Sequence, residues 1–283
     1  MNRLMVVRGA CSLLVLALVT CASLVTPEAR AQEPKEKAIK IRWFGQSFFQ
    51  IESAEGRLVA IDPHGIPAFG RPIVPAEFVL VSHPHEDHSL VEFIEAQKKD
   101  TKLKEADIYR GVVETKPGKQ EWKVVDEKRG SIHVRNVATY HDTVNGMQRG
   151  KNSIWIIEMN GLTLCHLGDL GHELTAEQVK AVGKVDILMI PIGGIYTING
   201  EQAQKVVEQL KPRLYVLPMH YAVPGYDDLA GPEEFLDDVK KDRIKKMTDT
   251  NELVVPANAK ADAYQIVLLG WRKAELKKPP EKK

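Results

Sequence analysis

The chain is poor in cysteine. Its 283 residues hold three, and two of these, Cys11 and Cys21, fall in the apolar leading stretch. With that stretch removed Cys165 stands alone and no intramolecular disulfide can form. The fold must then rest on its core and on any bound metal. Cys165 lies in an apolar run and reads as a small buried residue rather than a reactive thiol. An excess of one charge is missing too. The formal net charge is +1, and once Arg3, Arg8, Arg30 and Glu28 of the leading stretch are set aside, 36 basic residues face 37 acidic ones. Such a balance does not favour nucleic acid as a partner. Long apolar runs are absent apart from residues 10–25, which are too few for a comfortable membrane span. There is no G-x-S-x-G elbow to supply a serine nucleophile, no internal repeat, and no internal linker long enough to split the chain into domains.

What is present at the N-terminus has the pattern of a secretory signal: Arg3 and Arg8, then the apolar run, then Ala29-Arg30-Ala31 before Gln32. Leu18-Val19-Thr20-Cys21 only faintly resembles a lipoprotein box, because Thr20 suits it poorly and the apolar run continues past Cys21. The expectation is a signal over 1–31, cleaved on export to a bacterial periplasm or beyond. A polar linker over 32–38, one domain over 39–274 and a disordered charged tail over 275–283 follow. A small molecule is the expected partner, with no nucleic acid and no membrane once the signal is cleaved. The oligomeric state is left open.

The chemistry concentrates in His83-Pro84-His85-Glu86-Asp87-His88. It follows the buried-strand run Phe78-Val79-Leu80-Val81. Ser89-Leu90-Val91-Glu92 behind it reads as a capping box opening a helix with Leu90, Phe93, Ile94 and Gln97 on one face. Pro84 restricts the backbone at His83, and a turn can aim His83, His85, Asp87 and His88 at one small volume. Neutral imidazoles and a carboxylate packed this closely suit Zn²⁺, Fe or Mn²⁺. Residues 132–140 then read as a strand delivering His141. Apolar runs 153–159 and 162–167 flank Asn160-Gly161, a hairpin signal, and lead to Gly168-Asp169. A strand over 214–217 delivers His220. Thr175-Ala176-Glu177-Gln178 is a second capping box, Ala203, Val206, Val207 and Leu210 mark a helix, and Pro232 opens another. All the candidate ligands directly follow strand candidates, and strand ends on one side of a sheet lie close together however far apart they are in sequence. Asp62, at the end of residues 57–61, reads with equal weight as a ligand or an orienter of one, and as a strand-terminal cap. His64 reads as a loop residue, His133 as structural, and His166 and His172 as structural or as supports behind the ligands. The charged stretches 98–104 and 116–128 read as exposed.

On these residues the chain resembles the metallo-β-lactamase superfamily. H-x-H-x-D-H is complete at His83, His85, Asp87 and His88, and the later His, Asp and His follow in family order at His141, Asp169 and His220. The stretches 165–172 and 190–194 are similar to the ascorbate-6-phosphate lactonase branch and related metal-dependent hydrolases. The resemblance implies an α/β fold, a four-layer αββα sandwich, with two divalent metals at one edge, Zn²⁺ first and Mn²⁺ or Fe as alternatives. His83, His85 and His141 would hold one metal, Asp87, His88 and His220 the other, and Asp169 would bridge. It further implies a hydrolase in which the dimetal pair activates hydroxide, with Asp87 and Asp169 in the catalytic machinery, to cleave an ester, lactone, amide or phosphoester bond. Gly193, Gly194, Tyr196 and Thr197 are the pocket residues it suggests. The alternatives are a mononuclear iron dioxygenase of the same fold and a non-catalytic metal-binding periplasmic protein. The di-iron oxygen reducers of the family carry Glu where this chain has His85.

Overall fold

The computed structural model describes residues 37–272. The expected signal, most of the linker, and the tail over 275–283 lie outside the described residues. Among the described residues eighteen strands and four α-helices follow in order. β1 (Ala38–Trp43), β2 (Phe49–Glu52), β3 (Leu58–Ile61), β4 (Val74–Ala76) and β5 (Phe78–Val81) lead to α1 (Glu86–Ser89) and β6 (Ile94–Ala96). β7 (Ile108–Arg110), β8 (Val112–Lys116), β9 (Lys119–Trp122), β10 (Asp126–Arg129), β11 (Ile132–Tyr140), β12 (Lys151–Met159) and β13 (Leu162–His166) come next. Then follow α2 (Ala176–Val182), β14 (Ile187–Pro191), α3 (Gly200–Leu210), β15 (Tyr215–Met219) and α4 (Glu233–Leu236). β16 (Ile244–Met247), β17 (Glu252–Pro256) and β18 (Gln265–Leu269) close the chain.

Two sheets carry the fold. One runs β17-β1-β2-β3-β5-β7 and the other β10-β11-β12-β13-β14-β15-β18-β16. In β1 the alternation is clean: Ile39, Ile41 and Trp43 turn inward, while Lys40 and Arg42 face out to pair with Glu52 and Glu252. β14 is buried along its whole length, as expected of a parallel strand covered on both faces. The inward faces of both sheets share one core, in which Phe49, Ile51, Ile61 and Leu80 meet Trp155, Ile157 and Leu164. Val182, Ala203, Val206, Leu210 and Phe235 of the helices join the same core from outside the larger sheet. Beyond the smaller sheet a second cluster of Phe48, Ala60, Val79 and Val81 packs under the parallel β4–β6 pair. The whole is the α/β sandwich of the metallo-β-lactamase fold.

The parallel pairings place the chemistry. β13, β14 and β15 run parallel in register, with Leu164 opposite Ile187 and Ile187 opposite Tyr215. β11 is antiparallel to β12 and β12 to β13, so β11 ends at the same edge as β13. In the smaller sheet β3 and β5 run parallel, Ile61 opposite Leu80.

Several local expectations change. No helix opens at Ser89. The helical turn lies within the motif itself, and Ser89 closes it by donating from Oγ to the His85 carbonyl at 2.9 Å. The following residues form a 3-10 turn over Val91–Phe93, then β6, because Ile94–Ala96 finds a parallel partner in β4. Between β1 and β2 the chain turns at Gly45 and Gln46, both at positive φ. The charged stretch 116–128 holds strand pairs of its own, β8 with β9 and β10 with β11. Edge positions tolerate that much charge because one side of each strand faces water. The Pro232 helix is a single turn that ends before Val239. The hairpin at Asn160-Gly161, the Thr175 capping box, the strand over 132–140 and the helix carrying Ala203 to Leu210 form as the sequence predicts.

Candidate metal centre

β5 ends at Val81, and Ser82 hands the chain to His83. Behind it lies Asp62, fully buried, at φ +49° at the end of β3. Asp62 Oδ1 accepts from the Ser82 backbone N–H at 2.7 Å and Oδ2 from the Ser82 hydroxyl at 2.6 Å. With its proton committed to Asp62, the Ser82 hydroxyl can only accept from His83 Nδ1, 2.9 Å away. That fixes the His83 tautomer with a bare Nε2 lone pair. Asp62 Oδ2 also accepts from His88 Nδ1 at 3.1 Å. Asp62 thus orients two imidazoles and is not itself among the converging atoms.

The remaining candidates arrive from the larger sheet. His141 follows β11, Asp169 follows β13 through Gly168, and His220 follows β15. Oδ2 of Asp169 lies 3.1 Å from His88 Nε2, 3.1 Å from His220 Nε2, 3.2 Å from His141 Nε2 and 4.0 Å from His83 Nε2. His83 Nε2 is 3.1 Å from His85 Nδ1, and His88 Nε2 is 3.4 Å from Asp87 Oδ2. The ligand atoms fall into two sets, His83, His85 and His141 in one, and Asp87, His88, Asp169 and His220 in the other, each set within 4.8 Å. All seven side chains named from the sequence therefore meet.

These atoms fit a metal. Ligands about 2.0–2.1 Å from a tetrahedral centre stand roughly 3.3 Å from one another, close to the spacings here. His88 Nε2 is buried and has no hydrogen-bond partner. Charge agrees with geometry. Burial raises the carboxyl of Asp169, but His220, His88 and His141 outweigh it and hold Asp169 well below the ordinary carboxylate range. Burial likewise raises Asp87, and His88 outweighs it, leaving Asp87 ionised. Burial, then the neighbouring imidazoles, push His83 and His85 down toward the neutral ring. At His88 burial lowers the pKa, but Asp169, Asp87 and Asp62 reverse the direction and draw positive charge there. Ionised carboxylates and bare imidazoles are the state in which these groups ligate, and a cation bound there would take the place of the proton on His88.

Two glycines set the approach of the ligand segments. A Cβ on Gly171 would stand 2.2 Å from the His141 carbonyl carbon, and one on Gly193 would stand 2.3 Å from the His220 carbonyl oxygen. Gly193 N–H donates to that same oxygen at 3.0 Å. Of the expected pocket residues, Tyr196 lines the 270 Å³ cavity over the cluster, together with five of the seven candidate ligands and Arg149. Gly193, Gly194 and Thr197 shape the turn beneath it, Thr197 N–H donating to the Gly194 carbonyl at 3.0 Å. A larger cavity of 940 Å³ lies between the end of α3 and residues 260–264 and contains none of the cluster.

Other residues were not legible in advance. Gln46 Nε2 donates to Asp87 Oδ2 at 3.0 Å, Ser47 Oγ lies 3.3 Å from Asp169 Oδ1, and the Asn152 amide holds Asp169 N–H and the Leu167 carbonyl. The break at Gly45 in an otherwise apolar run is the one signal that could have found Gln46 and Ser47. Of the remaining histidines, His64 is buried and pushed down to about 4, chiefly by burial, with Nε2 at the Gly45 carbonyl. His166 is buried against the Ser47 carbonyl, and His172 Nε2 accepts from Tyr140 N–H.

Strand-end ligands in two sets around one carboxylate, at the edge of a two-sheet sandwich, are the frame of a metal-dependent enzyme. Residues 40–220 match the β-lactamase superfamily domain, and the chain belongs to that family. It is 31% identical over 211 residues to a UPF0173 metal-dependent hydrolase of Thermococcus onnurineus, covering 70% of this chain and 90% of that one. A UPF0173 metal-dependent hydrolase of Pyrococcus furiosus is 31% identical over 219 residues, with the same coverage. Among solved structures, a candidate Zn-dependent hydrolase of the metallo-β-lactamase superfamily from Thermotoga maritima superposes with a TM-score of 0.60 at 28% identity, covering 82% of this chain and 98% of that one. None of these descriptions specifies the lactonase branch.

Proposed function

We propose that this protein is a hydrolase that holds two divalent cations, zinc first and manganese or iron as alternatives, and cleaves an ester, lactone, amide or phosphoester bond in a small molecule. One observation carries the reading: a single carboxylate oxygen, Asp169 Oδ2, stands between both sets of ligand atoms, 3.2 Å from His141 and 3.1 Å from His88 and His220. Divalent cations held there would supply Lewis acidity and a hydroxide nucleophile near neutral pH. The chain's own residues hold that arrangement in place. Asp62 and Ser82 fix the rings of His83 and His88. Gln46 and Ser47 hold the carboxylates of Asp87 and Asp169 from the other side. No serine elbow competes for the nucleophile's role.

The test is metal analysis with a hydrolase screen on the mature chain. Two ions per chain and turnover of at least one substrate class are expected, with both lost in His85→Ala and Asp169→Ala. Unchanged metal content and unchanged hydrolysis in those variants contradicts the proposal. The pattern over residues 1–31 supports export to a periplasm or beyond, and the mature protein is then expected to begin at Gln32 in mass spectra of the exported fraction.

A further inference from the structure

We propose that Arg149, assisted by Lys151, is the specificity-determining residue of the pocket, and that the substrate carries a carboxylate or phosphate on the part remote from the bond cleaved. The inference rests on the hydrolase reading and names the substrate class for that same site. Two cavities adjoin here. The 270 Å³ one over the cluster and a second of 350 Å³ share His85 and Arg149, and the second continues past Gln120 to Lys151. A ligand anchored at the cluster therefore has a path outward, and Arg149 stands where the two spaces join.

The loop that presents Arg149 is set in place before any ligand arrives. Asp142, buried directly after His141, accepts four backbone N–H groups: Val144 at 2.9 Å and Gly146 at 2.8 Å on Oδ1, Gln148 at 2.9 Å and Arg149 at 2.8 Å on Oδ2. Its charge is spent on the loop's own amides, which hold its carboxyl below the ordinary range against the opposing effect of burial. The guanidinium is clamped from the far side. Its Nη2 donates to the Ile195 carbonyl at 3.0 Å, and its Cζ lies 5.6 Å from the Tyr196 ring centre. Ile195 is held at φ +50°, a costly conformation for a β-branched residue, and its carbonyl is the one that positions Arg149. Lys151 lies 4.2 Å from the Trp122 ring centre, and Trp122 is itself pinned by its Nε1 donating to the Asn152 carbonyl at 2.9 Å. Neither cation has a carboxylate partner among the described residues. Two positioned, unneutralised cations, Arg149 at the junction of the cavities and Lys151 further along the second, suit an oxyanion, and the free edge of a guanidinium can take it bidentately. Each cavity also has an exposed apolar side chain in its lining, Tyr196 in the first and Met147 in the second, which suits the uncharged body of the same molecule.

The test uses two-headed anions on the metal-loaded mature chain, with binding measured by calorimetry. Acetate presents one head, succinate and glutarate a second carboxylate, and 3-phosphonopropionate a second head of phosphate type. The wild type is expected to bind at least one two-headed probe about tenfold more tightly than acetate. Arg149→Ala is expected to abolish that advantage while leaving acetate affinity and metal content unchanged. Lys151→Ala weakens the same probes by less, and Arg149→Lys restores only part of the loss. Which second head responds separates the carboxylate from the phosphate. Equal binding of two-headed and one-headed probes, no binding of either, or an unchanged advantage in Arg149→Ala overturns the proposal. Metal content of the same samples reports separately on the two-ion reading.

Discussion

Four side chains explain why the ligands point where they do: Asp62, Ser82, Gln46 and Ser47, each contributing a hydrogen bond from behind a ligand. The ligands themselves were legible because their chemistry is dense in sequence and each follows an apolar run. Their supports were not, because a glutamine, a serine and an asparagine look alike wherever they occur. Asp62 shows the boundary of what the chain discloses. Its place at a strand end admitted three roles, and only the 2.6–3.1 Å contacts to Ser82 and His88 select one. Backbone strain collects at the same place, with Gln46, Asp62 and His220 all at positive φ without being glycine. A close backbone approach at the cluster is set by Gly171, whose missing side chain lets the His141 backbone sit against it. Gly171→Ala is expected to keep the circular dichroism of the fold and to lose about one metal ion per chain by elemental analysis. Full metal content in that variant would mean that the two segments can part without moving His141.

Among the elements, sequence served long strands well and short helices poorly. β11 and β12, nine residues each, declare themselves by length and alternation, and the Asn160-Gly161 turn fixes their successor. A four-residue helix has too few turns to show a period. That is why α1 sits inside the ligand motif while the pattern just after it suggested a helix that does not form. β4 and β6, three residues each, exist only because they find one another across the fold. The β10–β11–β12 edge carries a pH-sensitive tie. His133 Nε2 lies 2.6 Å from Asp126 and its Nδ1 lies 3.2 Å from Glu158, and the Asp126 contact chiefly raises its pKa. A raised pKa in the folded state means stability that is fully present below the ordinary histidine value and lost as pH rises through the higher folded one. Melting temperatures of the wild type and His133→Ala should therefore differ most on the acid side and converge as the pH is raised past the folded value. The effect is small, because the pair is partly solvated. A gap independent of pH would contradict the role.

At the scale of the molecule, two sheets share one core and present one edge. Parallel pairing of β13, β14 and β15, with β11 in the same sense, carries His141, Asp169 and His220 to that edge. The parallel β3–β5 pair brings Asp62 and the His83–His88 segment against them. The sheet order was not readable from the chain, since pairing is decided by contacts between distant segments. The convergence was readable, because every ligand stands at the end of a strand. Burying bare imidazoles and ionised carboxylates together is unfavourable without a cation, so metal removal should destabilise the fold as well as stop any chemistry. Chelation followed by dialysis is expected to lower the melting temperature by several degrees, with recovery on adding back zinc. An unchanged melting curve would show that the cluster stands without metal.

The most direct measurement is anomalous diffraction from crystals of the metal-loaded protein. Two peaks are expected about 3.5–4 Å apart, one within the His83, His85 and His141 set, one within the Asp87, His88 and His220 set, with Asp169 between them. A single ion, no ion, or peaks away from these side chains would contradict the account.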